Sequence, residues 1–433
     1  MTHCSRTLAI LLFLAVLSGS AGAAERFPPP EFDSGHSLPE TQYPAPRGLV
    51  FEVLDVAALF VALCLAAWLA FRRRSRTGLF VLMLVSLFYF GFLREGCVCP
   101  IGAIQNVALA IADRSYAVPI AVLAFFLLPL VFALFFGRVF CAAVCPLGAI
   151  QDVVLVHPLR VPTWLEHALR VLAYAYLGAA VLFAATGSAF VICQYDPFVA
   201  FFRLSGSLAM FILGACVLVV AMFVGRPYCR FLCPYGVLLG LLARASQRRV
   251  TISPAECVRC RLCEDSCPFG AIRAPAEAPS PDERRVGRKR LALLLGLLPV
   301  LVGLGLFAGG LLAVPFSKVH ATVSLAERVR LEDTGKAEGT TDASEAFRET
   351  GRPTEELFAE AKVLRSRFVT GGRLLGAWLG LVIGIKLIYP TLRRRRTDYE
   401  ADRGACLACG RCYDYCPVEH DRRKKAREAG AVR

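Results

Sequence analysis

Cys257, Cys260, Cys263 and Cys267, closed by Pro268, follow the spacing C-x-x-C-x-x-C-x-x-x-C-P, and Cys406, Cys409, Cys412 and Cys416 with Pro417 repeat it. Thiolates at these intervals suit a [4Fe–4S] cube, with three sulfurs of one run wrapped round one face and the fourth sent onward. A zinc site sets two C-x-x-C pairs on separate knuckles rather than in one run closed by Cys-Pro. A disulfide knot has no need of the spacing at all. Both runs therefore read as cluster ligands.

Where two cubes share one module, the fourth cysteine of each run ligates the other cube. The expected sets are then Cys257, Cys260, Cys263 and Cys416 for one cluster, and Cys406, Cys409, Cys412 and Cys267 for the second. Roughly 140 residues separate the runs, so the chain between them must leave and return to the same side.

Three further stretches end in Cys-Pro: CVCPIGAIQN from Cys97, CAAVCPLGAIQD from Cys141 and CRFLCPYGVLLG from Cys229. The Gly-Ala-Ile-Gln shared by the first two implies internal duplication. Proline favours the first helical turn, where its missing N–H costs nothing, so each Cys-Pro is expected to begin a short helix. A cysteine just ahead of a helix feels the positive end of the dipole, which favours the thiolate. Cys141, Cys145, Cys229 and Cys233 are expected to share one membrane edge, where they form either a further four-thiolate metal or redox site or packed capping thiols. Cys97, Cys99 and Cys193 are expected as extracytoplasmic thiols: a strained redox pair, a disulfide with Cys193, or part of another site. Cys64 and Cys216 have no spaced partner and read as ordinary buried residues. Among the histidines, His36 and His320 are candidates for a cofactor or quinol outside, while His157, His167 and His420 sit near the inner face.

What must position these groups is a membrane. The 433 residues are 56% hydrophobic and 19% charged, and the mean hydropathy is +0.55. The net charge of +15 sits in arginine clusters beside apolar segments, where topology signals lie, which argues against nucleic-acid binding. Most of the 18 cysteines fall in ligand-like groupings, so metal rather than disulfide use is expected.

Residues 1–23 have a basic head, a short apolar core and the small-residue finish Ala21-Gly22-Ala23, the pattern of a signal peptide, with an uncleaved anchor as the alternative. Residues 24–48 read as a proline-rich extracytoplasmic arm. A five-span membrane domain with the Cys-Pro repeats is expected over 49–249, with spans near 49–71, 78–93, 118–136, 168–192 and 208–224. The first ferredoxin segment occupies 250–287, and a sixth span follows at 291–314, its glycines read as ordinary composition. An extracytoplasmic polar segment over 315–371 includes a helix at 354–369. A seventh span at 372–390 and the second ferredoxin segment at 397–433 complete the chain. The fold class is thus an α-helical polytopic membrane protein of about seven spans carrying a small α+β two-cluster module assembled from two separated segments. Arg72 to Arg74, Arg244, Arg248 and Arg249, Arg288 to Arg290 and Arg393 to Arg396 put that module on the cytoplasmic side of a bacterial inner membrane.

On the C-x-x-x-C-P groups at Cys141 and Cys229 and the two four-cysteine runs, the chain from about Cys97 onward resembles the membrane-bound polyferredoxin family that includes NosR, NapH and the CcoG proteins. The resemblance implies two [4Fe–4S] clusters, with quinone and a further iron–sulfur or metal site as additional candidates. It also implies an electron-transfer subunit, or a quinol dehydrogenase component, working between a cytoplasmic or quinol donor and a respiratory or extracytoplasmic partner. The CcoG likeness implies the alternative, a metalloenzyme maturation or redox-sensing role. The chain departs from NosR in its short exported arm, which leaves no room for a flavin domain. A substrate transporter fits poorly, because the spans carry few central charges.

Overall fold

The computed structural model describes residues 48–96, 99–252, 257–277, 280–391 and 396–428. The signal-peptide and arm expectations, with His36 and Cys97, fall outside the described residues.

Apolar runs of Leu, Ala, Val and Phe offer the backbone no side-chain partners, so its polar groups pair within helices. α1 (Leu49–Ala67) continues as a π-helical turn, Trp68–Arg73, and stops at Arg74, whose φ is +52°. α2 (Arg76–Ser86) begins where the Ser75 hydroxyl accepts from the Gly78 N–H at 3.1 Å and continues as the π-helical Leu87–Leu93. Then come α3 (Pro100–Ala112), α4 (Ile120–Phe136), α5 (Pro146–Val153), α6 (Thr163–Ala185), α7 (Leu208–Ala221) and α8 (Pro234–Arg244). Beyond the first ferredoxin run lie α9 (Pro281–Ser317), α10 (Ala321–Asp333), α11 (Asp342–Glu349) and α12 (Thr354–Ile388), and α13 (Pro417–Glu428) closes the described chain. As the Cys-Pro pattern predicts, Pro100, Pro146 and Pro234 each occupy the first turn of a helix.

Five helical stretches among the described residues are long and apolar enough to cross a membrane: Leu49–Arg73, Arg76–Leu93, Thr163–Ala185, Pro281–Ser317 and Thr354–Thr391. The expected third and fifth spans are shorter helices, 17 residues for α4 and 14 for α7. α4 is confined between Pro119 and Gly137, the latter at φ +67°. Past α7, the carbonyls of Met222 and Phe223 instead accept the amides of Val156, His157 and Leu159. The last two long helices exceed expectation. α9 starts at a capping box in which Ser280 and Glu283 satisfy each other's backbone N–H. α12 merges the 354–369 helix with the seventh span in one rod of 35 residues. Around its polar end, Val323, Ala326 and Val329 of α10 and Phe347 of α11 pack on Leu357 and Ala361.

The glycines of the sixth span prove to be more than composition. Gly305 and Gly309 of α9 lie against Gly372, Gly376 and Gly380 of α12, so close that a Cβ at Gly376 would overlap the Gly305 carbonyl and one at Gly309 the Gly372 carbonyl. Small residues at four-residue spacing let two helix backbones touch, which gives packing attraction in a solvent that offers no hydrophobic drive. The outward side of α9, with Leu293, Leu304, Phe307 and Leu311, is exposed, as a lipid-facing surface must be. Cys64 and Cys216, expected to be buried, are exposed as well, because apolar side chains of a membrane helix can face lipid.

β1 (Ile272–Arg273), after the first run, pairs antiparallel with β2 (Glu400–Ala401), before the second, with Ile272 opposite Ala401 and Arg273 opposite Glu400. The pairing brings the two cysteine runs side by side.

Gly376→Leu must pry α9 from α12, at about 2 kcal/mol or more by the usual cost of overpacking. A lowered apparent Tm in detergent is expected, while Gly296→Leu, where nothing lies within 4 Å of an added Cβ, leaves it unchanged. Equal melting of the two variants would contradict the glycine contact.

Candidate functional site

The two four-cysteine runs adopt the same local fold. In the first, Arg259 and Arg261 take positive φ, +53° and +67°, and in the second Ala408 and Gly410 do so at the same motif positions, +57° and +81°. These left-handed residues turn the backbone around its own sulfurs. Each loop then runs into one helical turn, Leu262–Asp265 or Arg411–Asp414.

Cysteines of the two runs share cavities. Cys257, Cys260, Cys263 and Cys416 line one cavity, and Cys267, Cys406, Cys409 and Cys412 line another. Burial, and then the neighbouring thiols Cys257, Cys260 and Cys416, push the Cys263 thiol up to about 11. Burial likewise raises Cys412, with Cys406, Cys409 and Cys267 adding to it. Asp402 fixes the second loop: its Oδ1 accepts the N–H groups of Gly404 and Ala405 at 3.0 and 3.1 Å, and its Oδ2 pairs with Arg273 of β1 at 3.1 Å.

Cys141, Cys145, Cys229 and Cys233 form a third quartet around a cavity of their own. Two like-folded turns deliver it. Cys145 N–H donates to the Phe140 carbonyl at 3.0 Å, and Cys233 N–H donates to the Tyr228 carbonyl at 2.8 Å. Gln151 locks one turn to the other: its Oε1 accepts the Tyr228 N–H at 3.0 Å, while its Nε2 donates to the Leu147 carbonyl at 2.6 Å and to Cys229 Sγ at 3.3 Å.

Two guanidiniums flank this quartet. Arg138 donates toward Cys141 Sγ at 3.7 Å and to the Gly404 carbonyl of the second run at 3.3 Å. Arg226, in the left-handed region at φ +49°, pairs with buried Asp152 at 2.8 Å and also reaches the carbonyls of Cys141 and Ala142. Such a pair is neutral overall, yet it presents a positive group to the sulfurs. The expected acidic shift at helix N-termini is overridden, because burial and then the thiols of Cys229, Cys141 and Cys233 raise Cys145, outweighing the Gly148 N–H. A cationic core among the sulfurs is what would hold them as thiolates.

No group of three or more His, Cys, Asp or Glu among the described residues closes on a single ion. Sulfurs at the corners of a cube stand farther apart than around one zinc. The all-thiol donor sets therefore fit the iron–sulfur group that the spacing predicts.

Of the remaining predicted residues, Cys99 and Cys193 line a cavity at the other copy of the repeat, together with Asp196. His320 caps α10, accepting from the Thr322 N–H at 3.2 Å, and His420 contacts the Asp414 carbonyl at 2.6 Å, so both have structural work. His167 borders a cavity of about 310 Å³ whose wall includes Cys229, Cys233, Arg138, Lys386 and Trp378. Gln151, Arg138 and Arg226 are missed by motif reading. The shared Gly-Ala-Ile-Gln was the one signal for the glutamine.

Two segments, 118–163 and 207–253, match a family described as a 4Fe-4S binding domain, and 250–273 matches a second family of the same description. The first pair contains the third quartet and the last contains the first run. Over 118 residues the chain is 29% identical to the "Putative electron transport protein YccM" of Escherichia coli (strain K12), covering 25% of this chain and 33% of that protein. Over 122 residues it is 32% identical to "Protein NirI" of Paracoccus denitrificans (strain Pd 1222), covering 27% and 18% respectively. The chain thus spans a third or less of the length of these relatives. No solved structure matches. The chain therefore carries 4Fe-4S binding domains together with helices long and apolar enough to cross a membrane, and it is similar to a protein named for electron transport.

Glu419 anchors the second run to the membrane domain. It is fully buried and takes Arg74 at 2.8 Å, Arg422 at 2.9 Å and Arg423 at 3.1 Å. Although burial opposes it, the guanidiniums of Arg422, Arg74 and Arg423 hold its carboxyl below the usual range. The stabilisation is therefore complete above about pH 4.3, the unfolded value, and is lost as pH falls through the lower folded value. Glu419→Gln at pH 7 should speed amide exchange in α13, and acidification should bring the parent protein toward the variant's rate. Identical exchange at pH 7 would show that the cluster of arginines does not depend on this carboxylate.

Proposed function

We propose that the chain is a membrane electron-transfer protein holding three iron–sulfur clusters. Cys257, Cys260, Cys263 and Cys416 hold one, Cys406, Cys409, Cys412 and Cys267 a second, and Cys141, Cys145, Cys229 and Cys233 a third. The observation that carries the reading is that three all-cysteine quartets each line a separate cavity within one body. Bound clusters of this type store and release single electrons. The rest is the work of the chain. Arg138 bridges the third quartet to the second run and offsets sulfur charge on both sides. Gln151 and the Gly236 N–H, which reaches Cys233 Sγ at 3.3 Å, donate to the sulfurs and tune them. Apolar walls of Phe140, Leu239 and Ile101 keep water out.

Electron transport in the name of one relative supports the role, as do the two matched 4Fe-4S domains. The arginine clusters beside Leu49–Arg73 and ahead of α9 favour the cytoplasmic side of a bacterial inner membrane for the ferredoxin runs. Donor and acceptor are redox proteins or a quinol. The cavity of about 310 Å³ beside Cys229 and Cys233, apolar in part and cationic in part, is the proposed entry for either.

Iron, acid-labile sulfide and EPR on anaerobically purified protein test this reading. Each quartet accounts for about four irons. Cys416→Ser and Cys260→Ser should abolish the same EPR signal, and Cys267→Ser and Cys409→Ser the other. If Cys416→Ser removes the signal that Cys409→Ser removes, the crossed ligation is wrong. Iron-free protein would end the proposal altogether.

A further inference from the structure

The repeat that builds the third quartet has an earlier copy, and its residues superpose in role. Gln105 lies six residues after Cys99 as Gln151 lies six after Cys145, and both cysteines precede a helix-starting proline. Gln105 Oε1 accepts the N–H of Ile192 at 3.0 Å, as Gln151 Oε1 accepts that of Tyr228 at 3.0 Å. In each case the donor is the residue just before a cysteine, Cys193 or Cys229. By this correspondence Cys99 matches Cys145 and Cys193 matches Cys229.

The remaining partner follows from the next proline. Cys233 precedes Pro234, and in the earlier copy Asp196 precedes Pro197, in a turn one residue shorter. Asp196 is 3% exposed, and its Oδ1 accepts the Phe198 N–H at 2.9 Å. A buried carboxylate at the position of a ligand thiol is an oxygen donor in place of a sulfur.

Cys99, Cys193 and Asp196 line one cavity of about 230 Å³, with Arg203 and Asn106 also in its wall. Gly102 lets the sulfur approach, since a Cβ there would lie 3.1 Å from Cys193 Sγ. A second sign of a missing ligand is independent of the cavity. Gln151 Nε2 donates to Cys229 Sγ, but its counterpart Gln105 Nε2 is buried with no hydrogen-bond partner among the described residues. Buried amides are rarely left so, because the lost hydrogen bond costs the full desolvation.

We propose that Cys99, Cys193 and Asp196 form a fourth metal site, taking an iron–sulfur cluster with a carboxylate oxygen on one iron. The likeness of Cys99 and Cys193 to Cys145 and Cys229 is what favours a cluster over mononuclear zinc. Between this site and the third quartet stand two rings in edge contact, Phe198 and Tyr228, with centroids 5.5 Å apart. The inference rests on the reading of the other quartets as cluster sites.

The test uses the full chain, purified without oxygen in detergent. The parent protein should carry about sixteen irons, and Asp196→Asn and Cys193→Ser about twelve, with one EPR signal lost. Cys145→Ser should remove a different signal. Asp196→Cys should restore the iron count with altered g values, a rescue that a merely structural carboxylate would not allow. Cys99 and Cys193 in the parent should resist maleimide until a chelator strips the iron, a readout that needs no variant. Unchanged iron and spectra in Asp196→Asn and Cys193→Ser, zinc in place of iron, or a disulfide at Cys193 would overturn this site alone, provided Cys145→Ser still loses its signal. Iron-free parent protein would overturn both this site and the reading beneath it.

Discussion

Four sulfur anions gathered in one place repel each other, and removing water makes the repulsion stronger. The surroundings of the third quartet answer that constraint. The sulfurs sit on short helical turns whose N–H groups point at them, and they are accompanied by guanidiniums anchored elsewhere. Arg226 is tied to Asp152, Arg138 to the Gly404 carbonyl. Around the third quartet the two arginines, the Asp152 carboxylate and the thiols form one buried polar cluster. Its rigidity comes from buried glutamine and from turns held by backbone hydrogen bonds.

What could be read from the sequence was local. The spacing of Cys257 to Cys267 and of Cys406 to Cys416 is a property of a dozen residues, so two like-folded cysteine loops were legible before any fold was known. Helix starts at Cys-Pro were legible for the same reason. The supporting residues were not. The glutamine showed only as part of a repeated Gly-Ala-Ile-Gln, with nothing to say what it bonds, and Arg226 in a cluster-flanking turn looks like any topology arginine. Asp196 was hidden because its turn is one residue shorter than the motif it replaces. The glycines of α9 were misread because glycine is common in membrane helices. Their meaning lies in a partner helix some 70 residues away. The lengths of α4 and α7 were overestimated because hydropathy does not register the proline and glycine that bound α4, or the loop amides that take the carbonyls past α7.

The membrane part and the polar part share one apolar core, and specific contacts fix how they meet. Glu419 holds α13 against Arg74 at the end of the first long helix. Asp402 holds the loop of the second run against β1. The glycine seam between α9 and α12 sets where the second run re-emerges. A shift of one residue along that seam would move the run by about 1.5 Å, enough to disturb sulfur positions. Packing inside the bilayer thus fixes geometry outside it.

The interleaving of the two ferredoxin runs also governs how the protein can be made. The cavity around Cys257, Cys260 and Cys263 is completed by Cys416, and that around the later run by Cys267. Neither cavity is closed until the whole stretch from Cys257 to Cys416 has folded, with both glycine-seamed helices in between. The two loops and the helix pair are therefore bound to form as one cooperative unit rather than one after the other.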